Sequence, residues 1–255
     1  IRAGVSAINT SIAVFPYKLM GTTLAISREF ESGDVPTKNF QLGMWEKSKD
    51  LDGMKMAAKS YFKEMPPTCF ACPVRCSKFT EVPDGPFKVD VGPAPQYETL
   101  AALGSNCLNN NVESVIKSND LCSRYGIDTI STGVTISFIM EAYERGDITS
   151  EQLGGIKPTW GNTDVIIDLI RMIGERRGIG ELLGEGVKRT AEKFGLSDKG
   201  YAIHVKGMEA PMHDPRSLFS FGVNFATSPR GACHLRGPSM LFDQGIAMID
   251  AGVPN

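Results

Sequence analysis

The chain has 255 residues, a formal net charge of −2, and 42% hydrophobic against 22% charged residues. This balance is typical of a soluble globular protein with a sizeable core, in one large domain or two. Its 27 basic residues are mixed with 29 acidic ones, which argues against a nucleic-acid partner. No apolar run approaches the roughly 18–20 residues that span a bilayer. Because the chain begins at Ile1 without a methionine, we expect it to be a fragment.

Apolar residues at helical spacing predict a mainly α, multihelical fold with little β structure. A first helix is expected after Pro16, and residues 34–41 are expected to form an extended connection. Further helices are predicted over residues 47–64, 96–104, 112–125, 134–145, 164–176, 179–194 and 222–227, with a turn over 127–133. Residues 79–91 predict a two-stranded hairpin. A change in composition near residue 203 predicts a helical domain over 1–203 and the beginning of a second over 204–255.

Three of the six cysteines follow the pattern Cys69-x2-Cys72-x3-Cys76. Prolines before and within this stretch predict an irregular loop, which can point three thiolates at one spot. Soft thiolate sulfur selects iron–sulfur clusters, zinc or copper(I). A zinc knuckle stays an alternative, but it normally has a second cysteine pair or nearby histidines, and the first histidine here is His204. The spacing therefore favours a [4Fe–4S] cluster whose fourth ligand comes from elsewhere.

The other three cysteines, Cys107, Cys122 and Cys233, stand alone in apolar or small-residue surroundings. We expect them to be buried as small hydrophobic side chains. A secreted disulfide framework would be a shorter chain with denser cysteines, so a reducing, cytoplasmic interior fits better.

Four further side chains are candidates for chemistry, each with a plainer explanation. Glu98 begins a predicted helix after prolines, where an ordinary first-turn glutamate is also common. His213 and His234 lie in loops bounded by Gly and Pro, which could carry catalytic groups or structural hydrogen bonds. Asp128 precedes a helix, and helix capping is its structural explanation.

Seven short stretches, spread in order over nearly the whole chain, carry a resemblance to a known family. They are Pro36-Thr37-Lys38-Asn39-Phe40, the Cys69/Cys72/Cys76 loop, Gln96-Tyr97-Glu98-Thr99, Tyr125-Gly126-Ile127-Asp128-Thr129-Ile130-Ser131, Lys206-Gly207-Met208-Glu209, Asp214-Pro215-Arg216 and Cys233-His234-Leu235-Arg236. Together they resemble the tungsten- or molybdenum-dependent aldehyde:ferredoxin oxidoreductases. The chain is similar to the second domain and the beginning of the third domain of that family, both mostly helical.

The resemblance implies an anaerobic, cytoplasmic oxidoreductase that converts aldehydes to carboxylic acids at a tungsten or molybdenum bis-pterin centre. It implies that Cys69, Cys72 and Cys76 ligate a [4Fe–4S] cluster, which passes electrons to ferredoxin or another electron-transfer protein. The family's pterin-cradling domain and fourth cluster cysteine are expected outside this chain. Glu98 and His234 match the acid–base pair beside the metal.

The resemblance also implies pterin contacts at Asp128 and an active-site loop at Thr129. Ser123 departs from the pattern, because the family usually has Asp or Asn there. His213 departs as well, since some members have tyrosine at its place. That difference keeps open a ring-reducing, benzoyl-CoA-type subunit acting on an aryl-CoA. A non-catalytic iron–sulfur electron-transfer subunit is the third hypothesis, and a homo-oligomer is an assembly that the sequence leaves open.

Overall fold

The computed structural model describes residues 1–12, 14–63, 68–237 and 243. Within them the chain is mainly helical, as predicted, with two small antiparallel sheets. The α-helices are α1 (Arg2–Thr10), α2 (Phe15–Met20), α3 (Ala25–Ser32), α4 (Gly53–Ala58), α5 (Tyr97–Ala102), α6 (Val112–Tyr125), α7 (Thr129–Glu144), α8 (Thr163–Gly174), α9 (Ile179–Leu183), α10 (Val187–Phe194) and α11 (Phe219–Thr227). Short 3₁₀ turns cover Gly21–Leu24, Glu46–Leu51, Ser105–Cys107 and Ser197–Lys199.

The strands are β1 (Phe62–Lys63), β2 (Phe79–Val82), β3 (Val89–Pro93), β4 (His204–Val205) and β5 (Met208–Glu209). Strands β2 and β3 pair antiparallel, which confirms the predicted hairpin, and β1 adds a third strand beside β2. Strands β4 and β5 form a separate two-stranded antiparallel ribbon. The cysteine loop therefore lies in the connection between β1 and β2.

Helix α6 matches its predicted bounds at both ends because both termini carry local signals. The Asn111 side chain accepts a hydrogen bond from the backbone N–H of Ser114, and this caps the start of the helix. Gly126 ends it in the left-handed conformation, at φ 68°. Helix α8 likewise agrees with its prediction to within two residues.

The helix predicted over residues 47–64 is wrong in its interior. The segment contains a 3₁₀ turn, then α4, and then strand β1. Asp52 is extended and caps α4 through the N–H of Met54, so the chain breaks before Gly53. Gly53 packs so closely on Thr23 that a Cβ would lie 2.1 Å from the Thr23 hydroxyl oxygen. Residue 64 lies outside the described residues.

Other predicted bounds differ as well: α1 precedes Pro16, after which the first helix is expected, and α11 begins at Phe219 rather than at residue 222. Helix α7 begins at Thr129, not at 134, because Asp128 caps it by accepting from the N–H of Ser131, so the expected turn over 127–133 is mostly helix. The expected extended connection over 34–41 contains a tight turn with left-handed Lys38, Asn39 and Phe40. The helix predicted over 179–194 is divided into α9 and α10 at Gly184–Gly186.

Helix α7 runs through the main hydrophobic core, with Ile136, Phe138 and Met140 fully buried. Helix α5 lies directly against it, since a Cβ on Gly133 would come within 2.5 Å of the Ala102 carbonyl oxygen. The close approach brings the first turns of α5 and α7 together, and the candidate site lies there.

A second, smaller hydrophobic cluster contains Ala210, Leu218, Phe221, Phe225 and Ala232. It follows residue 203, but it shares the partly buried Phe40 and Ile203 with the main core. The domain boundary near residue 203 stays a prediction, and residues 238–242 and 244–255 of the second predicted domain lie outside the described residues. In the part of the chain that the structure describes, every helix is too short or too polar to cross a bilayer.

Candidate active site

Glu98 lies in the first turn of α5, and a neighbouring segment holds the start of that helix. The Thr22 hydroxyl accepts a hydrogen bond from the backbone N–H of Tyr97 at 2.9 Å and donates to Oε1 of Gln96 at 2.6 Å. The N–H groups in the first turn of a helix have no partner within the helix. The N-cap residue of α5, Gln96, makes no capping hydrogen bond with its side chain, so Thr22 caps the helix instead. Glu98 is thereby held at a fixed helix end.

The two carboxylate oxygens of Glu98 have different surroundings. Oε2 accepts a hydrogen bond from the backbone N–H of Met212 at 2.7 Å. Oε1 is buried and has no hydrogen-bond partner, although Nε2 of His234 lies 3.3 Å away and Nε2 of His213 lies 3.5 Å away. Since buried carboxylate oxygens are normally hydrogen-bonded, an unpartnered one facing two imidazoles indicates a site for a reacting group.

His213 is fixed on all sides. Its Nδ1 lies 2.7 Å from Oδ2 of Asp34, whose side chain is fully buried. Its ring stacks between Tyr97, at 5.2 Å between centroids, and Phe221 of α11, at 4.6 Å. The Tyr97 hydroxyl is shared between the carbonyl oxygens of Asp34 and Met212, both at 2.7 Å. His213 therefore presents Nε2 to Glu98 with little freedom to turn away.

The surroundings move the pKa values of the two histidines in opposite directions. Burial opposes the charged form of His213, but the hydrogen bond to Asp34 and the charge of Glu98 outweigh it and raise the pKa of His213. Burial lowers the pKa of His234, and Glu98 only partly offsets it. Burial also raises the pKa of Asp34 to about 6, against the hydrogen bond from His213. These directions make His213 the more readily protonated of the two imidazoles.

His234 lies in the loop that follows α11, and one amide of that helix shapes the loop. Nδ2 of Asn224 donates to the carbonyl oxygens of Cys233 at 2.9 Å and Gly237 at 3.1 Å. The His234 side chain keeps 21% of its surface exposed, compared with 6% for His213. His234 is thus the more accessible of the two imidazoles beside Glu98.

Two of the three predicted pterin contacts, Asp128 and Thr129, lie near this site. Thr129 is hydrogen-bonded to Thr99, with 2.9 Å between the hydroxyl oxygens, and Thr99 directly follows Glu98. Asp128 is exposed and caps α7. Ser123 is exposed on the last turns of α6. The structure therefore places Thr129 one hydrogen bond from the residue next to Glu98.

A cavity of about 310 Å³ joins Asp128 to the histidine loop. Its lining includes Asp128, Ser131, Glu209, Arg230 and His234. Glu209 is held in place by the Ser131 hydroxyl at 2.8 Å, and its other oxygen accepts from the backbone N–H of Val187 at 2.7 Å. The wall also contains apolar side chains, among them Ile130, Met208 and Leu235, so the cavity next to His234 offers both polar and apolar contacts.

The cysteine loop has the donor chemistry of a cluster site without a converged geometry. Cys69 is exposed, Cys72 and Cys76 are half-buried, and all three thiols are free. Left-handed Ala71 and Arg75 give the predicted irregular backbone. Across residues 1–12, 14–63, 68–237 and 243, however, no three His, Cys, Asp or Glu side chains are grouped closely enough to hold a metal ion. Ligation by these thiols therefore stays a prediction.

The three isolated cysteines are buried, as expected. Burial raises the pKa of the Cys107 thiol far above its usual range and that of Cys122 to about 12. Both thiols are thus held in the protonated form, which neither binds metals nor attacks carbonyls.

Sequence reasoning missed Asp34 and did not commit His213 to the site. His213 stood out as one of three histidines and as a departure from tyrosine, and that signal pointed to it. Asp34 gave no signal, because it lies 64 residues before Glu98 in an apparent connection and meets His213 only through the fold.

Comparisons with known proteins agree with this architecture. A family model described as "Aldehyde ferredoxin oxidoreductase, domains 2 & 3" matches residues 5–254. The tungsten-containing aldehyde ferredoxin oxidoreductase of Thermococcus kodakarensis is 38% identical over 217 residues, which are 85% of this chain and 34% of that protein. The enzyme of the same name from Pyrococcus furiosus is 39% identical over 217 residues, again 85% and 34%. The chain thus spans about a third of the length of these relatives.

Two further similarities are more distant. An aliphatic sulfonate oxidoreductase, WOR-like subunit, of Pyrococcus furiosus is 34% identical over 171 residues, which are 65% of this chain and 27% of that protein. The solved active-site complex BamBC of benzoyl coenzyme A reductase, with 1,5-dienoyl-CoA, shares the fold at a TM-score of 0.57 and 18% identity, covering 72% of this chain and 27% of that one. With the family model matching nearly its whole length, the chain belongs to the aldehyde ferredoxin oxidoreductase family.

Proposed function

We propose that the complete protein oxidises aldehydes to carboxylic acids, with Glu98 as general base and His234 as the donor to the substrate oxygen. The observation that carries this proposal is the buried Oε1 of Glu98, which lacks a hydrogen-bond partner and faces two imidazoles. The names of the relatives at 38% and 39% identity support the substrate class.

In the proposed reaction, an aldehyde and a water give a carboxylate, three protons and two electrons. Oε1 of Glu98 would take a proton from the water as the water oxygen bonds to the carbonyl carbon. Oε2 cannot easily serve, because it is occupied by the Met212 N–H. Its hydrogen bond instead fixes the direction in which Oε1 points.

His234 suits the second role because it is neutral and partly accessible. Burial lowers its pKa, so the imidazole can donate one N–H to the substrate oxygen without carrying a charge in the resting site. Its position on the wall of the cavity would let the same ring contact a substrate that reaches Glu98. The two roles thus fall to side chains whose functional atoms lie 3.3 Å apart.

When bound, a tungsten or molybdenum bis-pterin would accept the electron pair and a [4Fe–4S] cluster would pass electrons singly to ferredoxin. We propose that Cys69, Cys72 and Cys76 hold the cluster, supported by three free soft donors on one loop. Asp128, Thr129 and Ser123 are the proposed pterin contacts, supported for Asp128 by its place in the wall of the cavity that His234 also lines. The free thiols also suit the reducing, oxygen-free cytoplasm that we include in the proposal.

The test uses the complete protein and a matched pair of glutamates. Glu98 and Glu113 both lie in the first turn of a helix, but Glu113 bonds Tyr61 and Lys59 away from the site. We expect Glu98→Gln to lower kcat for benzaldehyde oxidation by about 10²–10⁴-fold, while Glu113→Gln keeps activity. Iron and tungsten contents should be equal in both variants. Normal turnover by Glu98→Gln would show that the assigned base is wrong.

Two other outcomes would replace the proposal. Activity only on an aromatic acyl-CoA, in the reductive direction, would select the ring-reducing hypothesis, for which the fold of the benzoyl-CoA reductase complex is the structural precedent. Zinc without iron, or iron without tungsten and molybdenum, would select a structural or electron-transfer subunit. Elemental analysis together with the two assays separates all three.

A further inference from the structure

Two carboxylates lie on opposite sides of the His213 ring, and each turns a buried oxygen toward it. Asp34, which is fully buried, faces Nδ1 at 2.7 Å, and Glu98, whose side chain is 16% exposed, faces Nε2 at 3.5 Å. A neutral imidazole carries one N–H and can donate to only one of them, whereas the imidazolium can donate to both. Beside a neutral ring the two carboxylates would also lack a compensating charge, which is costly where their oxygens are buried. The geometry therefore fits a charged ring.

From this arrangement we propose that Asp34 keeps His213 protonated, so that His213 acts as a fixed cation facing Glu98 while His234 stays neutral. His213 and Asp34 are then positioning residues, since they act through Glu98. This inference deepens the proposed function and rests on it for the role of Glu98. The two histidines thus have different roles: His213 is a permanent charge and His234 is a neutral donor.

Every charged or titratable group around His213 is consistent with this division. Asp34 follows α3, and Glu98 and Tyr97 come from α5. Glu29 of α3 adds a more distant negative charge, which is paired with Arg28. His234 approaches from the loop after α11, at 5.6 Å between ring centroids, and Phe221 of α11 covers the ring with an apolar face. A second cation at His234 would be repelled by the first, which favours a neutral His234.

Stacking on two aromatic rings fixes the position of the His213 ring. The ring lies between Tyr97 and Phe221, so it cannot rotate away from the line joining the two carboxylates. The other oxygen of Asp34 accepts from the backbone N–H of Asp214, the residue that follows His213. Asp34 thus binds both the His213 ring and the backbone of the loop that carries His213, which is the arrangement expected of a group that orients a histidine.

The direct test measures hydrogen–deuterium exchange at C2 of each histidine ring by mass spectrometry as a function of pH, in the complete protein. This exchange reports each ring's midpoint without needing activity. In the wild type we expect the midpoint of His213 to lie above that of His234. In Asp34→Asn, the His213 midpoint should fall by about one unit or more, because an opposing charge has been removed. A His213 midpoint at or below that of His234 in the wild type overturns the inference without any variant.

The control and the kinetic arm distinguish this inference from the proposed function. Asp52 is also a buried aspartate that accepts two backbone N–H groups, from Ser27 and Met54, and Asp52→Asn should leave the His213 midpoint unchanged. In kcat/KM for benzaldehyde at neutral pH, Asp34→Asn should lower the value by about tenfold or more, because Glu98 loses the charged neighbour that His213 provides, while Asp52→Asn should keep the wild-type value. A wild type without aldehyde turnover overturns the proposed function alone. An unchanged kcat/KM in an active Asp34→Asn enzyme overturns this inference alone.

Discussion

Gly21 and Cys76 are in direct backbone contact: a Cβ on Gly21 would lie 2.4 Å from the carbonyl oxygen of Cys76. The next residue, Thr22, caps the helix that carries Glu98. The 3₁₀ turn Gly21–Leu24 therefore touches the cysteine loop on one side and the first turn of α5 on the other. It is a rigid link between the proposed electron outlet and the proposed base.

Gly21→Ala should displace the cysteine loop. The substitution combines a left-handed backbone, at φ 67°, with the collision against Cys76. Gly126 is a matched control, because it has φ 68° and no atom within 4 Å of its Cβ position. We expect Gly126→Ala to lower the free energy of unfolding by about 1 kcal/mol, and Gly21→Ala by about 1–3 kcal/mol more. Iron content should fall only in Gly21→Ala, and equal effects in the two variants would contradict the contact.

The hydroxyl pair of Thr99 and Thr129 should stabilise the meeting point of α5 and α7. Thr99→Val or Thr129→Val is expected to lower the free energy of unfolding by about 1 kcal/mol each, because a partly buried hydrogen bond is lost. The double variant should cost clearly less than the sum, since both substitutions remove the same bond. Thr227→Val, at an exposed hydroxyl on α11, is the control and should cost less. Strict additivity in urea denaturation would show that the two hydroxyls are not coupled.

The buried amide of Asn39 should be essential to the turn at residues 38–40. It donates to Glu141 at 2.7 Å and to the Tyr201 carbonyl at 2.8 Å, and it accepts from Ser137 at 2.9 Å. Asn39→Ala should destabilise by roughly 3 kcal/mol, because it leaves these groups buried without a partner. Asn110→Ala, which removes one amide contact to Asp50, should cost less than about 1 kcal/mol. Similar midpoints for the two variants in thermal unfolding would refute the network.

Local chemistry made much of the fold predictable. Asn111 and Gly126 fix the two ends of α6. The prolines and the three cysteines predicted the irregular loop that lies between β1 and β2. The start of α7 was missed although its cap, Asp128, is local, and another prediction failed where a distant contact decides the backbone. The long helix over 47–64 is broken because Gly53 must pack on Thr23, a contact 30 residues away that no periodicity contains.

The residues of the candidate site likewise include some that short motifs pointed to and one that no motif contained. Glu98 and His234 could be found from short stretches, because each lies in a motif that resembles the family. Asp34 could not, because its role depends on the Tyr97 hydroxyl and the His213 ring meeting it in space. Some motif residues have a structural role. Asp214 pairs with Arg216, and Arg216 donates to the carbonyl oxygen of Phe40 at 2.6 Å. These bonds join two of the segments that resemble the family.

His234 should make the folded protein less stable on mild acidification. Its pKa is lowered in the folded state, chiefly by burial, so the unfolded chain binds a proton that the folded chain resists. The free energy of unfolding should therefore fall as the pH drops through the ordinary histidine pKa near 6.5, and the loss should level off below the lowered folded value. Urea denaturation at intervals from about pH 7.5 downward measures this slope.

His234→Asn supplies the comparison, because asparagine does not titrate. The difference in unfolding free energy, wild type minus variant, should be largest above pH 6.5 and should shrink as the pH falls. Glu98→Gln should steepen the loss in an otherwise unchanged chain, because Glu98 carries the negative charge that partly offsets the burial of His234. A difference that grows on acidification would mean that His234 is charged in the folded site, and the neutral donor role assigned to it would then be wrong.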